Sequence, residues 1–324
     1  MPKPAKSYHY SSDNIMANPI FIYEGGRAPQ NIRHARIDES LSAIPDGAFM
    51  ECPLLLDVEL HKGISTLGAR SFSQNKRLRW ITLPGMREIK NNAFDGCENL
   101  EYVEFGNKLD VIRRLGFIRC RSLQCLVMPS VRTIEWRAFY KCPSLVEIKF
   151  GVKLERIGNE AFYNCINLRL IAIPLKNDMI EGDPFVLCRN LSTIELVGGI
   201  HKTVASLHLE KWRDDMMEEI NRINEILPHT DSQGKTSTIQ QWIESVIHRI
   251  ECYKVEHLQL LKEAMALLEL ALWKVKLFDV DEDMLEPNAD DGKEGSNGAR
   301  KEQRITSGAS IVIKNVLSFL ILPK

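Results

Sequence analysis

The sequence predicts an α/β repeat solenoid, in which short strands of successive coils form one parallel sheet, followed by an α-helical hairpin. Two observations predict the solenoid: a phenylalanine recurs every 22 or 23 residues, and apolar residues recur at fixed distances from it. A third observation predicts the hairpin. After about residue 200 the repeat stops, and apolar residues recur at helical spacing instead.

The repeat is marked by seven phenylalanines: Phe49, Phe72, Phe94, Phe117, Phe139, Phe162 and Phe185. A leucine follows each of them six residues later, and apolar residues lie five residues before it and nine and eleven residues after it. Positions nine and eleven share one face of a strand, because side chains alternate along strands. One coil cannot bury that face alone, so neighbouring coils must stack to form the core.

A column of cysteines accompanies the phenylalanines, three residues after six of them: Cys52, Cys97, Cys120, Cys142, Cys165 and Cys188. We predict that these thiols fill a recurring internal pocket, because a reduced cysteine behaves as a small, readily buried side chain. Asn75 takes this place in the second coil, so the position requires a compact residue, with or without a hydrogen bond to a turn. Metal sites need clustered cysteine pairs, and the spacing of Cys120 and Cys125 is wrong for one.

The repeated pattern I-x₃-A-F-x-x-C-x-x-L-x-x-I-x-I-P is similar to the BspA-type leucine-rich repeats, a family with a Treponema-like consensus. The resemblance covers about residues 35–200. The flanks, at 21–26 and 201–277, look most like the diatom members, which have a C-terminal helical tail. The resemblance implies a right-handed leucine-rich-repeat coil that binds proteins.

We predict a partner-binding face at the strand positions that point outward, eight and ten residues after each phenylalanine. Trp80 and Tyr102 lie there beside Val127, with charged residues at both ends. Exposed aromatic residues ringed by polar groups are typical of protein-binding hot spots. The alternative is a set of scattered apolar residues partly covered by loops. The predicted face comprises Trp80, Thr82, Tyr102, Glu104, Val127, Glu147, Lys149, Leu170 and Ala172.

Basic residues are frequent in the middle coils, between Lys76 and Arg137. Such a run could attract nucleic acid or an acidic partner. The residues fall at varied positions of the coil, however, which favours a solvated surface. A formal net charge of −1 likewise does not favour nucleic acid as a partner.

The C-terminal third predicts two helices separated by a polar loop. An apolar stripe covers 203–227, and Thr238 with Gln241 resembles a capping box that opens a second helix running to about residue 277. Its apolar residues follow a heptad seam, so the hairpin either caps the solenoid or forms a homo-oligomer through residues 238–277. We predict no metal site at the three potential ligands on this helix, His248, Cys252 and His257.

We predict five segments: a disordered N-terminus (1–20), the solenoid with its cap and seven repeats (21–200), the helical hairpin (201–278), a disordered linker (279–304) and a short apolar segment (305–324). The first residues lack the apolar region of a secretory signal, and no apolar run reaches about eighteen residues. We therefore expect a cytoplasmic protein without a membrane partner. This expectation sets the chain apart from the bacterial and protozoan members of the family, which are often surface adhesins.

No nucleotide-binding, zinc-protease or serine-hydrolase motif occurs in the sequence, and no histidine has the spacing of a catalytic triad. We therefore predict no catalytic residue and no cofactor. The prediction for function is a non-enzymatic interaction module whose strand face holds an unknown protein or peptide. The alternative is a scaffold that self-associates through the long C-terminal helix.

Overall fold

A computed structural model of the chain describes residues 20–199, 204 and 210–283, with side chains as far as residue 274. It confirms a parallel β-solenoid followed by two helices. Most coils contain one long strand and one strand of two residues. The phenylalanine lies in the turn that follows the short strand, and the leucine six residues later leads into the next long strand.

The long strands of the coils are β1 (Phe21–Tyr23), β2 (His34–Ile37), β4 (Asp57–Glu59), β6 (Trp80–Leu83), β8 (Tyr102–Phe105), β10 (Cys125–Met128), β12 (Glu147–Phe150), β14 (Leu170–Pro174) and β15 (Thr193–Val197). The short strands are β3 (Ala43–Ile44), β5 (Thr66–Leu67), β7 (Glu88–Ile89), β9 (Val111–Ile112), β11 (Thr133–Ile134) and β13 (Arg156–Ile157).

Among the described residues, these strands form three parallel sheets, where the sequence predicted one. Six long strands, from β6 to β15, form the sheet that was expected, and β1, β2 and β4 form a three-stranded sheet before it. The six short strands form a further sheet. Its buried residues are the apolar residues that lie five positions before the phenylalanines. The repeat showed this column but did not indicate that it belongs to a strand.

The phenylalanines form a continuous stack along the interior. Ring centroids of successive phenylalanines, from Phe49 to Phe185, lie 4.8–5.9 Å apart with interplanar angles of 4–9°. This spacing follows from parallel strands about 4.8 Å apart. At the N-terminal end the Tyr23 ring, 4.6 Å from that of Phe49, continues the stack, and its hydroxyl donates to the Gly26 carbonyl at 2.7 Å.

The cysteine column is both packed and hydrogen-bonded. The Cys97 thiol donates to the carbonyl of Phe72 in the preceding coil at 3.0 Å, and the same bond recurs at Cys120, Cys142, Cys165 and Cys188. Asn75 makes the equivalent bond, because its Nδ2 donates to the Phe49 carbonyl at 2.8 Å. The position therefore requires a compact donor, and sulfur is one way to supply it.

Burial raises the pKa values of Cys52, Cys97, Cys120, Cys142 and Cys188. The pKa of Cys97 is raised to about 12 and that of Cys52 to about 11, because the thiolate would be desolvated inside the solenoid. Burial is likewise the main cause that raises the pKa values of Cys120, Cys142 and Cys188 well above the ordinary range. The thiols are therefore inert at neutral pH, as expected for structural filling.

Left-handed residues shape the turn around each phenylalanine. In the fourth coil Leu115, two residues before Phe117, has φ 60°, and Arg119, two residues after it, has φ 62°. Both backbone N–H groups donate to the next coil, from Leu115 to the Trp136 carbonyl at 3.2 Å and from Arg119 to the Tyr140 carbonyl at 2.9 Å. The backbone thus turns sharply and still links the coils.

The two C-terminal helices are α1 (Glu210–Ile226) and α2 (Lys235–Asp283), joined by a 3₁₀ turn at Leu227–His229. The capping box predicted at Thr238 is wrong. The helix begins at Lys235, and the Thr238 hydroxyl donates to the Gly234 carbonyl at 3.0 Å as an interior residue.

The described chain divides into two compact units. Residues 20–199 and 219–245 form the first, and residues 204, 210–218 and 246–283 belong to the second. The predicted hairpin is therefore shared between the two units. The predicted N-terminal and C-terminal segments, apart from Ile20 and the end of α2, lie outside the described residues.

Within the first unit, residues 219–245 cover the last coil. Asn224 pairs with the backbone of Ile194, accepting from its N–H at 2.8 Å and donating to its carbonyl at 3.2 Å, as a further strand would. The buried Lys235 donates from Nζ to the carbonyls of Leu191 at 2.6 Å and Leu227 at 2.8 Å. These contacts satisfy backbone groups at the open end of the solenoid.

Candidate binding face

The outward side chains of β6, β8 and β10 form an exposed apolar cluster. Trp80 on β6 is paired in register with Tyr102 on β8, and Tyr102 with Cys125 on β10. The exposed fractions are 42% for Trp80, 45% for Tyr102 and 58% for Val127. We call Trp80, Tyr102, Cys125 and Val127 the apolar cluster. The side chains that alternate with it point inward and are buried, so the sequence placed these residues on the correct side of the sheet.

The remaining residues of the predicted face differ in exposure. Glu104 is exposed, whereas Thr82, Glu147, Lys149 and Leu170 are half-buried. The prediction is wrong for Ala172, which is only 2% exposed. Its neighbours in register on the adjacent strands, Lys149 and Glu195, are much longer and flank the small methyl group. The apolar part of the accessible face therefore ends near Leu170.

Electrostatic interactions across the face involve few groups. Nζ of Lys149 lies 2.7 Å from Oε1 of Glu147, and this hydrogen bond raises the lysine pKa above its ordinary value. Partial burial raises the pKa of Tyr102, and the nearby Glu104 carboxylate raises it further. Burial and the Glu147 carboxylate together raise the pKa of Cys125, so this exposed thiol is neutral at pH 7.

Two pairs of polar side chains lie at the N-terminal end of the same side of the sheets. Nδ1 of His34 lies 2.8 Å from Oδ2 of Asp57, and Nε of Arg36 lies 2.6 Å from Oε2 of Glu59. Both pairs are in register between β2 and β4. The sequence analysis placed charged residues at this end of the face but did not predict that they pair with the strand of the N-terminal cap.

Many basic residues of the middle coils pair with carboxylates of neighbouring coils. Arg113 lies 2.7 Å from Glu88 and 2.8 Å from Glu135, so one guanidinium joins three successive coils. Equivalent pairs between adjacent coils are Arg79–Glu101, Arg119–Asp95, Arg132–Glu155 and Arg137–Glu160. Most of these pairs are at least partly exposed, so each contributes little to stability. They neutralise the paired arginines, and therefore only part of the basic run that suggested a nucleic-acid surface.

A second aromatic cluster, away from the long strands, was not foreseen. The guanidinium groups of Arg137 and Arg114 lie 4.2 Å and 5.1 Å from the ring centroid of Trp136, and the rings of Tyr140 and Tyr163 stack at 4.7 Å. The aromatic residues are half-buried and contact cations of the same chain. Their surfaces are therefore less available to a partner than those of Trp80 and Tyr102.

In the second unit, the far part of α2 exposes a series of large apolar side chains: Val255, Leu258, Leu260, Met265, Leu267, Leu270, Leu272 and Trp273. None of the helices among the described residues is long and apolar enough to cross a membrane. On the same helix, Sγ of Cys252 lies 3.6 Å from Nε2 of His248. Among the described residues, no group of three or more potential metal ligands is assembled.

Comparison with known proteins matches the solenoid to one family. The family model described as BspA type leucine rich repeat region matches six copies over residues 28–138 and 116–207. No curated protein matches the chain.

Solved structures of leucine-rich repeat proteins are also similar. The Treponema pallidum protein TpLRR is 26% identical, with a TM-score of 0.46 over 59% of this chain and 88% of that one. A Bacteroides ovatus protein is 25% identical, with a TM-score of 0.40 over 53% of this chain and 48% of that one. The pneumococcal vaccine antigen PcpA is 17% identical, with a TM-score of 0.32 over 56% and 67%.

Proposed function

Because the chain belongs to the BspA-type leucine rich repeat family, we propose that it is a non-enzymatic interaction module whose strand face binds a protein or peptide. The apolar cluster is the observation that carries this proposal. Trp80, Tyr102 and Val127 expose about half of their surfaces side by side, and aromatic residues so placed are the usual anchors of protein interfaces.

The environment of the cluster supports the same function. The strands beneath it are held in register by a parallel ladder and by the interior stack, so the exposed side chains stand on a rigid surface. A rigid surface loses little conformational entropy on binding. The half-buried Thr82 and the Glu147–Lys149 pair border the cluster with polar groups, as in interfaces with an apolar centre and a polar rim.

The exposed thiol of Cys125 allows a direct test. Cys125 and Cys252 are exposed, whereas the other six cysteines are buried. In a Cys252→Ser background, N-ethylmaleimide will therefore modify Cys125, next to Tyr102, and add a neutral group to the face. A displayed library of random dodecapeptides would first be selected against the full-length chain.

We expect modification of Cys125 to weaken binding of the selected peptides at least tenfold, because the added group occupies the apolar cluster. A Cys125→Ser, Cys252→Ser variant, treated in the same way, is the control and should keep full binding. Unchanged binding after complete modification, or failure to select any peptide, would contradict the proposal.

The exposed apolar residues of α2 favour a second candidate, self-association through this helix. Leu267 and Leu270 are about two-thirds exposed, and contiguous apolar surface of this kind marks an interaction site. Light scattering would test it on the full chain, because removing the helices would also remove the cap at Leu191 and Ile194. We expect a dimer or larger species that dissociates in a Leu267→Glu, Leu270→Glu variant. A monomeric wild-type chain would exclude this candidate.

A further inference from the structure

The carboxylates of the strand face are not equally paired. Asp57 pairs with His34, Glu59 with Arg36 and Glu147 with Lys149. Glu195 lies within the electrostatic influence of Lys149. Across the described part of the chain, no side chain or backbone group forms a hydrogen bond or ion pair with the exposed carboxylate of Glu104.

This carboxylate lies beside the two aromatic residues of the apolar cluster. Thr82 and Glu104 are paired in register on β6 and β8, and Trp80 and Tyr102 are paired two residues earlier on the same strands. Strands lie about 4.8 Å apart and two residues span about 6.6 Å. Glu104 is therefore within one side-chain length of both rings. The raised pKa of Tyr102, to which Glu104 contributes, is consistent with this proximity.

We propose that Trp80, Tyr102 and Glu104 together bind an arginine or lysine side chain presented by the partner. This inference rests on the proposed function and specifies the partner's chemistry. A cation is attracted to the faces of Trp and Tyr rings, and a carboxylate at the edge of the same site supplies the opposite charge. Arginine fits best, because its planar guanidinium stacks on rings and donates two parallel hydrogen bonds to one carboxylate.

The surrounding residues restrict the partner further. Val127, on the next strand, offers an apolar surface adjacent to the site, so the basic residue of the partner should be followed or preceded by an apolar one. The unpaired negative charge of Glu104 disfavours phosphate groups and acidic peptides at the same position. The site is thus suited to a basic and apolar segment of a protein.

The test uses the dodecapeptides selected against the full chain. We expect them to be enriched in arginine and lysine next to apolar residues, and we expect their affinity to fall as ionic strength rises. Glu104→Gln keeps the shape of the side chain and removes its charge, and should weaken these peptides about tenfold, as the loss of a charge-assisted contact does. Glu155→Gln, an exposed carboxylate away from the face, is the matched control and should leave their affinity unchanged.

The outcomes separate this inference from the proposed function. Peptides that lose binding when Cys125 is modified, yet show no basic enrichment and bind Glu104→Gln normally, would overturn the cationic site and leave the binding face intact. Peptides that are insensitive to both changes, or a library that yields no binder, would overturn both. A loss with Glu104→Gln that Trp80→Ala does not reproduce would overturn the role of the ring.

Discussion

The interior columns and the outward strand face of the solenoid differ in how they use the same strands. Inside, every coil places phenylalanine, leucine and a compact donor at equivalent positions, and the side chains are almost completely buried. Outside, residues in register change from polar pairs at β2 and β4 to aromatic rings at β6 and β8, then to the Glu147–Lys149 pair. The repeated residues therefore form the core, and the residues that vary between coils form the face that we propose binds a partner.

The largest expected effect concerns the buried thiols of the interior and alkaline pH. Each thiol whose folded pKa is raised contributes stability that is complete below the unfolded pKa of about 8.5 and decreases as pH rises towards the folded value. Each such thiol lowers the free energy of unfolding by about 1.4 kcal/mol per pH unit in that window, which for Cys97 extends to its folded pKa of about 12. With several thiols acting together, we expect the solenoid to unfold between about pH 9 and 10.5.

Circular dichroism at increasing denaturant concentration, repeated from pH 7 to 10, would measure this loss. A Cys97→Asn variant, which copies the natural Asn75, provides the control, because its pH dependence should be smaller by one thiol. A stability that is constant from pH 8 to 10 would contradict burial of the cysteine column.

The next largest effect on stability is expected from removing one ring of the stack. Phe117→Ala removes a completely buried ring that lies between Phe94 and Phe139. We expect it to lower the free energy of unfolding by about 3–5 kcal/mol, since it removes buried apolar surface and leaves a cavity. Chemical denaturation monitored by circular dichroism measures the loss. A change below about 1 kcal/mol would indicate that the coils do not depend on a continuous stack.

A smaller effect is expected at Asn75, which takes the place of a cysteine in the cysteine column. Asn75→Ala removes the acceptor of the Cys52 N–H, bonded at 3.0 Å, and the donor to the Phe49 carbonyl. We expect a loss of about 1–3 kcal/mol, because buried backbone groups lose a partner. Asn75→Cys restores a donor of the kind used by the other coils and should cost less. Equal losses in the two variants, measured by thermal denaturation, would show that only volume matters there.

The smallest effect on stability should come from the face itself. Val127→Ser changes an exposed side chain and should alter the free energy of unfolding by no more than about 0.5 kcal/mol. The same variant should weaken peptide binding. Substitution of Phe117 should therefore mainly lower stability, whereas substitution of Val127 should mainly lower the affinity for peptides. A strongly destabilised Val127→Ser chain would mean that the face contributes to folding, and the contrast between interior and exterior would fail.

The sequence predicted those parts of the fold in which the same residue type recurs at equivalent positions of successive coils. Seven coils with phenylalanine and leucine at fixed spacing define the solenoid, and alternation along each strand then locates Trp80 and Tyr102 on the outside. The sheet of short strands escaped prediction because each strand has two residues, and its outward residue varies from Thr66 to Glu88 to Arg156. One apolar position per coil is not enough to show a strand.

One omission, Lys235, and one error, Ala172, arose where burial depends on neighbours rather than on residue type. Lysine is rarely buried, and nothing in the sequence around Lys235 signals that its amine meets the carbonyls of Leu191 and Leu227. Ala172 has the correct orientation for exposure and is buried by the lengths of the side chains beside it. The periodicity of a strand predicts which way a side chain points, whereas its exposed fraction also depends on the sizes of the neighbouring side chains.

The left-handed residues beside each phenylalanine have a consequence for protein engineering. Leu115 and Leu187 both have φ 60°, a conformation that β-carbons of most residues oppose by about 1–2 kcal/mol. Asparagine tolerates it better, and Asn92 and Asn164 already occupy equivalent positions. A consensus coil with asparagine at both turns should be more stable than any natural one. Such a coil, inserted as a unit of fixed length, would lengthen the sheet and create a new row of outward positions for selected residues.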